Sequence, residues 1–281
     1  WKGKLLEDLF RATLRVLGGG SPDPDALVEA RKREALTTLA LHAQPHMAHK
    51  VLWDQLDVSY FMRHDASDIA WHTRQVSREL ARAPDQPFTH TIVRARISPD
   101  GEGLQVLVYA QDQNDLFVRI CGYFDQAGFS ILDAKVHTTR DGHALDTFQV
   151  VAPTLSEHYR ALTAMVENDL AQAIDQRGPL PAPSKGRLSR RVKSFPITPR
   201  VDLRPDEKAQ RWLLSVSASD RAGLLYCITR VLARYDISVQ LAKITTLGER
   251  VEDTFLISGS QLQVNKRQIE IETELLETLE G

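Results

Sequence analysis

The sequence contains little cysteine, little net charge and no long apolar stretch, and each shortage excludes a class of protein. Its 281 residues include 2 cysteines, too few for the disulfide framework of a small secreted domain or for a cysteine-rich zinc site. The 35 basic and 37 acidic residues leave a formal charge of -2, so no overall field favours nucleic acid or an anionic membrane. No apolar run approaches the roughly 20 residues that cross a bilayer.

The remaining composition is that of a soluble globular protein. Apolar residues make up 42% and charged residues 26% of the chain, and the length predicts two or three domains. Cys121 and Cys227 fall in predicted helices, so we expect buried thiols in a reducing cytoplasm. The first residue is Trp1 and leucines follow at helical spacing, so we expect the chain to begin inside a larger protein.

An internal duplication is the most informative feature that is present. A shift of 108 positions places residues 109–148 on 217–255, with one deletion in a turn near the end. The period is far longer than that of a solenoid, so each copy is a domain rather than a stacking unit. The matched pairs are Ala110 and Ala218, Asp112 and Asp220, Leu116 and Leu224, Ile120 and Ile228, Ser130 and Ser238, Ala134 and Ala242, Lys135 and Lys243, Thr138 and Thr246, and Asp146 and Asp253.

The segment before the first copy, residues 1–86, has a helical pattern. Pro24 and Asp25 suit the start of a helix over residues 26–42. Asp65 is predicted to cap a further helix, with Asp68 at the third position of a capping box. We therefore expect an all-helical segment ahead of the duplicated domains.

Each copy follows one order of elements, strand-strand-helix-strand-strand-helix. The predicted strands are 90–98, 104–110, 132–136 and 144–151 in the first copy, with 195–203 and 212–218 beginning the second; the closing helices are 154–174 and 265–279. Alternation of apolar and polar residues along the third strand predicts one buried and one open sheet face.

The fold class predicted from this order is α+β: two ferredoxin-like domains, each a four-stranded antiparallel sheet with two helices on one face, after an all-helical segment. Since the second copy ends on its helix, the fourth strand of each sheet must come from the segment that precedes the repeat. The predicted domains are 88–177 and 195–281, joined by a flexible proline-rich and basic linker at 178–194.

The loop between the second strand and the first helix is the candidate binding site. A helix N-terminus there would present unpaired N–H groups to a carboxylate, Gly223 would allow close approach, and Asp220 could receive an ammonium group. Ser238 and Val239, at the start of the next strand, would close the site. Spacing alone favours a simpler explanation, in which Asp220 is an N-cap and Gly223 a tolerated small residue.

Two groups of motifs carry a family resemblance. The loop at 220–225, the strand start at 237–239 and the hairpin at 248–255 resemble ACT domains, small modules that often bind amino acids. The paired hairpins at 138–148 and 244–253, with the upstream stretches 52–56, 60–65 and 71–72, resemble the bifunctional uridylyltransferase/uridylyl-removing enzymes of bacterial nitrogen signalling. The resemblance covers nearly the whole chain.

This resemblance implies a C-terminal regulatory region. In the family, an upstream nucleotidyltransferase domain uses UTP and magnesium to modify the nitrogen-regulatory PII protein, an HD-type hydrolase domain removes the group, and glutamine sensed by the ACT pair favours removal. The implied partners are glutamine and, through the parent enzyme, the PII protein; self-association of the chain through its ACT domains is also expected. No catalytic residue, metal ligand or cofactor is expected in these 281 residues.

Carried onto this sequence, the resemblance gives two sets of ligand positions. The second copy contributes Asp220, Ala222, Gly223, Leu224, Ser238 and Val239; the first contributes Asp112, Asp115, Leu116, Ser130 and Ile131. Asp115 stands where the second copy has Gly223. Its carboxylate would either repel a ligand's acid group or stabilise the helix start from within. The second copy is therefore the better candidate for glutamine, although the resemblance also implies that ligands of ACT pairs commonly lie between the two modules.

Four other motifs have simpler explanations. The stretch Gly20-Ser21 with Asp23 and Asp25 lacks the helix that a nucleotidyltransferase needs between its two elements. His64-Asp65 spells the HD dipeptide, but helix capping suffices for Asp65. Pro45 interrupts the helix that would align His42, His46 and His49. The basic run over 185–193 has no aromatic platform for nucleic acid.

Two alternatives to the regulatory region stay open at this stage. One is a stand-alone module for amino-acid binding or dimerisation. The other attaches the same ACT domains to a biosynthetic enzyme under feedback control. A parent protein with both nucleotidyltransferase and HD signatures would separate the first reading from these two.

Overall fold

The structure is a computed structural model that describes residues 24–41, 48–80, 88–99, 101, 103–152, 159–184, 197–206, 211–247 and 249–280. Four of the sequence predictions fall outside this range: the first helical stretch, the motif from Gly20 to Asp23, the histidines at 42 and 46, and the basic run at 185–193. The chain divides into a unit made of residues 1–88 with 139–141 and a unit made of 89–138 with 142–281. Among the described residues, no helix combines the length and apolar character of a membrane span.

The first unit is helical, as predicted. Its helices are α1 (Pro24–Ala40), α2 (Ala48–Trp53), α3 (Val58–Arg63) and α4 (Ala66–Leu80). The Arg31 guanidinium donates hydrogen bonds to the carbonyls of Phe61 (2.7 Å), Met62 (2.6 Å) and His64 (3.1 Å). These bonds satisfy the orphan carbonyls at the end of α3 and tie α1 to it.

Aspartates begin the last two helices of this unit. Asp57 accepts from the Tyr60 amide at 3.1 Å at the start of α3, and Asp65 accepts from the Asp68 amide at 3.0 Å at the start of α4. The predicted capping role of Asp65 is confirmed. Within the described ranges, no group of three or more His, Cys, Asp or Glu side chains is arranged to hold a metal ion.

The second unit contains both copies of the repeat. In the first domain, β1 (Ile92–Ile97), β2 (Leu104–Gln111), α5 (Leu116–Gln126), β3 (Ser130–Lys135), β4 (His143–Val151) and α6 (Tyr159–Asp175) follow in order. The second domain repeats them as β5 (Arg200–Pro205), β6 (Trp212–Ser219), α7 (Leu224–Arg234), β7 (Ser238–Lys243), β9 (Arg250–Ser258) and α8 (Asn265–Glu280). Two short elements were not predicted, namely β8 (Thr246–Leu247), which pairs with β9, and a 3-10 turn at Ser260–Gln263.

The sheets have the predicted topology. Their strand orders are β1-β2-β4-β3 and β5-β6-β9-β7, with every pair antiparallel. The strand that precedes each repeat, β1 or β5, therefore supplies the fourth strand, as the sequence required. Both edge strands carry a register shift at the same repeat position, between Ile131 and Asp133 in β3 and between Val239 and Leu241 in β7.

The prediction of one open sheet face is wrong for the first domain. Every residue of β2 from Leu104 to Ala110 is buried, including Leu107 and Tyr109 on the face opposite the helices. In β6 the corresponding positions are Ser215 and Ser217, and burial alternates. Apolar side chains on both faces of β2 require two covering layers, since exposing them would forgo their burial free energy.

The free edge of each sheet is closed by a glutamate from the last helix of its domain. Glu167 of α6 accepts a hydrogen bond from the Ala95 amide of β1 at 2.8 Å. Glu272 of α8 accepts one from the Leu203 amide of β5. Ala95 and Leu203 are equivalent in the repeat, so both copies satisfy the same edge amide in the same way.

The two domains pack through equivalent elements. Helix α5 packs on α7, and β3 lies beside β7. A Cβ atom at Gly122 would lie 2.8 Å from the Tyr226 ring, so glycine is what lets α5 approach α7 this closely. The side chain of Cys121 forms a hydrogen bond with that of Thr229, which occupies the equivalent position in the repeat. Contacts between like elements define a pseudo-two-fold axis between the copies.

The cysteine prediction is half correct. Cys121 is buried and its thiol pKa is raised by desolvation, whereas Cys227 is only half-buried. Both thiols are free.

The described part of the predicted linker, residues 178–184, is packed and is called the strap below. Its carbonyls at Gly178 and Ala182 accept from the Arg119 (2.6 Å) and Gln126 (2.9 Å) side chains of α5. The carbonyl of Pro181 accepts from the Tyr226 hydroxyl of α7 at 2.8 Å. The strap thus lies along the helix pair where the two domains meet.

Candidate functional site

A cavity of about 590 Å³ lies between the two ferredoxin-like domains, within the size range of small-molecule pockets. One wall comes from the end of α5 and the start of β3, the other from the loop before α7 and the β-strands behind it, and the strap contributes Ser184. The lining residues are Cys121, Asp125, Gly128, Phe129, Ser130, Ile131, Leu132, Val151, Ser184, Asp220, Arg221, Ala222, Gly223, Leu224, Leu225, Tyr226, Ile244, Thr246, Val251 and Asp253.

The loop between β6 and α7 has a conformation that only glycine adopts easily. Gly223 is the N-cap of α7 with φ 76°, and it lies in the left-handed region. Asp220 lies three residues earlier, with its amide donating to the Glu249 carbonyl at 2.8 Å and its carboxylate accepting from the Arg221 amide. The simpler sequence explanation, with Asp220 as N-cap and Gly223 as an arbitrary small residue, is therefore wrong.

Six of the predicted site residues meet in this cavity, but they come from different copies. Asp220, Ala222, Gly223 and Leu224 of the second loop face Ser130 and Ile131 of the first domain. Sequence reasoning paired each loop with the strand start of its own copy. The pseudo-two-fold packing instead pairs the loop of one copy with the strand start of the other.

The remaining predicted residues lie around the position that the pseudo-two-fold axis relates to this cavity, called the second niche, and the exposed Asn114 makes contacts across it. Asn114, the counterpart of Ala222, donates to the Asp236 carboxylate at 2.7 Å and accepts from the Ser238 hydroxyl at 3.1 Å. Its side chain therefore bridges the first loop to the start of β7, close to Val239.

The other first-copy residues have structural partners. The Asp115 carboxylate pairs with Arg119 at 2.6 Å and makes no capping bond at its N-cap position. Asp112 accepts from the Thr138 hydroxyl at 2.8 Å, and Leu116 is buried in the core. Of the two explanations for Asp115, an internal charge at the helix start agrees with this geometry, because the carboxylate remains beside the first turn of α5.

Two side chains stand at the N-terminus of α7. An added Cβ at Gly223 would lie 2.8 Å from the Asp125 carboxylate and 3.0 Å from the Ser184 hydroxyl. Asp125 in turn accepts from the Ser184 amide at 2.7 Å and from the Ser184 hydroxyl. The place that the sequence assigned to a ligand's carboxylate is next to one of the protein's own.

Two carboxylates with raised pKa values line the cavity, the buried Asp253 and the exposed Asp220. Asp253 is 2% exposed and accepts from the Thr245 amide at 3.1 Å. Desolvation, aided by the charge of Asp220, raises its pKa from an ordinary 3.8 to about 7. Desolvation and the charge of Glu249 also raise the pKa of Asp220, against the bond from the Arg221 amide. A cationic group placed between these acids would relieve both.

Among the described lining residues, Arg221 is the cation. Its Nη2 donates to the Thr278 carbonyl at 2.6 Å, while its buried Nε has no hydrogen-bond partner among the described residues. Acids on one side and a guanidinium with a donor to spare suit a zwitterion of amino-acid size.

Sequence reasoning missed Asp125, Ser184 and Asp253 as site residues. Asp253 carried a signal, since Asp146-Thr147-Phe148 recurs as Asp253-Thr254-Phe255, and an acid amid apolar strand residues at both places indicates a buried carboxylate. Asp125 and Ser184 carried none, because only the packing of the strap brings them to Gly223.

Fold and site together define a class: a tandem pair of ferredoxin-like domains after a helical segment, with a ligand-sized cavity between the two copies. Over its whole length the chain is a homologue of bifunctional uridylyltransferase/uridylyl-removing enzymes, so the resemblance inferred from the sequence is confirmed. It is 56% identical to that enzyme of Cupriavidus pinatubonensis over 100% of this chain. It is 58% and 56% identical to those of Ralstonia nicotianae and Burkholderia thailandensis, each over 99% of this chain.

The similarity to a family model and the lengths of the relatives describe how far the match extends. Residues 23–75 match the family model described as the uridylyltransferase GlnD fifth domain. The chain spans 32% of the length of each of the three relatives. No solved structure matches the chain.

Proposed function

We propose that this chain is the C-terminal regulatory region of a bifunctional uridylyltransferase/uridylyl-removing enzyme, and that it binds glutamine in the cavity between its two ferredoxin-like domains. The cavity, with Asp220 and Asp253 opposite the first domain's Ser130 and Ile131, is the observation that carries the binding proposal. The names of the relatives carry the assignment to the enzyme. They also favour this reading over a feedback-controlled biosynthetic enzyme.

The chemistry of the walls supports an amino acid as the ligand. Its α-ammonium group would lie between the Asp220 and Asp253 carboxylates. Both acids have raised pKa values, and a positive charge between them would stabilise their ionised forms. Its carboxylate would face the N-terminus of α7 and the Arg221 guanidinium. The apolar lining from Ile131, Leu224 and Ile244 would cover the aliphatic part of the side chain.

The whole enzyme would use this region as a switch. Upstream domains would transfer a uridylyl group from UTP, with magnesium, to the PII protein and would remove it again in the cytoplasm. Glutamine bound between the domains would favour removal through a difference in binding free energy between two states, on the order of 1–3 kcal/mol.

Calorimetric titration of the 281-residue chain with glutamine tests the binding proposal. We expect one heat of binding for the parent chain and an affinity at least about tenfold lower for Asp220→Ala, equal to about 1.4 kcal/mol. Asp112→Ala is the matched control, because Asp112 is the repeat counterpart and lies outside the cavity; it should change the affinity less than about twofold. A folded parent chain that gives no heat with millimolar glutamine, or equal affinities for the two variants, would refute the proposal.

A further inference from the structure

We propose that the strap is a built-in competitor of the ligand: Ser184, held by Asp125, closes the N-terminus of α7 at Gly223, and the ligand's carboxylate binds there only when the strap has been displaced. The inference rests on the proposed amino-acid site and adds its regulation. Ligand binding and strap release become one event in this scheme.

Contacts at Gly223 exclude simultaneous occupancy. The Asp125 carboxylate and the Ser184 hydroxyl lie within 3.0 Å of where a Cβ would stand on Gly223, and the Ser184 carbonyl lies 3.3 Å away. A second carboxylate brought to the same helix end would meet the Asp125 charge at short range and the bulk of Ser184. Asp125 belongs to α5 and not to the strap, and its carboxylate loses both bonds from Ser184 when the strap leaves. The helix dipole and its amide groups become available to the ligand once that carboxylate also turns away from Gly223.

The contacts that hold the strap are few and weak enough to be broken by a ligand. They include the two bonds from Ser184 to Asp125, the carbonyl bonds to Arg119, Gln126 and Tyr226, and the packing of the half-buried Leu180 against the core. Each hydrogen bond contributes modestly to stability because water competes for the same groups, and bonds to a charged partner contribute more. Prolines at 179, 181 and 183 keep the strap extended and stiff, so that it leaves its seat as one piece.

Release of the strap gives the site a mechanical output. The strap continues from α6 of the first domain toward β5 of the second, so it is the covalent tether between the copies. A bound strap holds that tether along α5 and α7. Displacement of the strap lengthens the tether. The apparent ligand affinity equals the affinity of the open state multiplied by the fraction of time that the strap is open.

Hydrogen exchange and calorimetry on the 281-residue chain, with glutamine as the probe, test this scheme. In the parent chain we expect glutamine to speed exchange of the Ser184 amide, although a bound ligand ordinarily slows exchange of the residues around it. Ser184→Ala and Asp125→Asn should each bind glutamine more tightly, by about threefold or more. Asp169→Asn, an exposed acid of α6 outside the cavity, is the charge-matched control and should match the parent.

The outcomes separate this inference from the function on which it rests. Glutamine binding with slowed or unchanged exchange at Ser184, or with unaltered affinity in both variants, would overturn the strap alone. No binding by the parent or by either variant would overturn the proposed function and the strap with it. Ser184→Ala lies in the strap and outside the core, so it provides the result even if Asp125→Asn folds poorly.

Discussion

Asp253 is the residue in which folding and binding are most directly opposed. Its side chain is buried beside apolar strand residues, and Asp146 occupies the same place in the first copy at 1% exposure. Each accepts one hydrogen bond of 3.1 Å from a main-chain amide, Asp146 from His137 and Asp253 from Thr245. A neutral Asn could accept the same bond, so the amide bond alone does not require an acid at position 253. The ammonium group of the proposed ligand would be a partner that favours an acid over Asn at this position.

Burial of Asp253 predicts a stability that falls with rising pH. Its pKa is about 7 in the folded chain against an ordinary 3.8, so between these values the folded state holds a proton that the unfolded chain has released. The contribution of this proton to the free energy of unfolding is fully present below about pH 4. It is lost as the pH rises through 7, and the loss is about 4 kcal/mol at most. The Asp253→Asn variant should lack this decline. Urea unfolding from pH 4.5 to 8 measures it.

Asp112→Asn serves as the control for this comparison, since Asp112 is an exposed carboxylate. Its stability should run parallel to that of the parent chain across the same pH range. Parallel curves for the parent and Asp253→Asn would mean that Asp253 titrates normally and is not desolvated.

At the scale of elements, the two loops that precede α5 and α7 occupy equivalent positions in the repeat but make different contacts. Both close the same turn, with Asp112 and Asp220 amides bonded to the opposite hairpin at 3.0 and 2.8 Å. Two repeat positions differ: Asn114 donates to Asp236 near the start of β7, whereas the equivalent residues on the other side are Ala222 and Gly128. Both small residues line the cavity, so neither side chain bridges it as Asn114 does.

Exchanging these residues should move the binding site. Asn114→Ala with Asp115→Gly removes the side chains that fill the second niche, and we expect the glutamine stoichiometry measured by calorimetry to rise from one to two. The reciprocal Ala222→Asn should fill the open niche and lower affinity at least about tenfold. Unchanged stoichiometry in the first variant together with unchanged affinity in the second would show that position 114/222 does not control access.

The elements themselves were largely predictable and the site was only partly so. Apolar stripes on α5 and α7 and the repeat alignment predict the helices, the sheet order and the strand that precedes each copy, because these depend on local periodicity. Pairing of the second loop with Ser130 depends on how two finished domains pack, which no periodicity encodes. The buried second face of β2 was readable in principle, since Leu107 and Tyr109 replace the serines of β6.

At the scale of the whole molecule, each sheet has one edge facing its twin and one edge facing away. The inner edges, β3 and β7, lie beside each other, so the copies already make within one chain the kind of contact that was expected between chains. The outer edges, β1 and β5, are the strands whose amides bond to Glu167 and Glu272. These glutamates are thus placed to prevent edge-to-edge association.

Removing both glutamates should therefore increase self-association. We expect Glu167→Ala with Glu272→Ala to lose about 1 kcal/mol of stability for each bond and to form larger species at concentrations where the parent chain does not. Sedimentation velocity over a range of protein concentrations measures this. Glu277→Ala, an exposed glutamate of α8, should behave as the parent does, and equal sedimentation of all three proteins would contradict the edge-protection role.

The Asn114 bridge has a consequence for how such a region would report on its metabolite. Two equal niches around one axis could act together and give a steep, threshold-like dose response. A single open site, by contrast, would give an occupancy that follows a simple saturation curve, and the output would rise in proportion to that occupancy. A duplicated region with one closed site would therefore respond gradually to ligand concentration, whereas two coupled sites would respond over a narrow range of concentration.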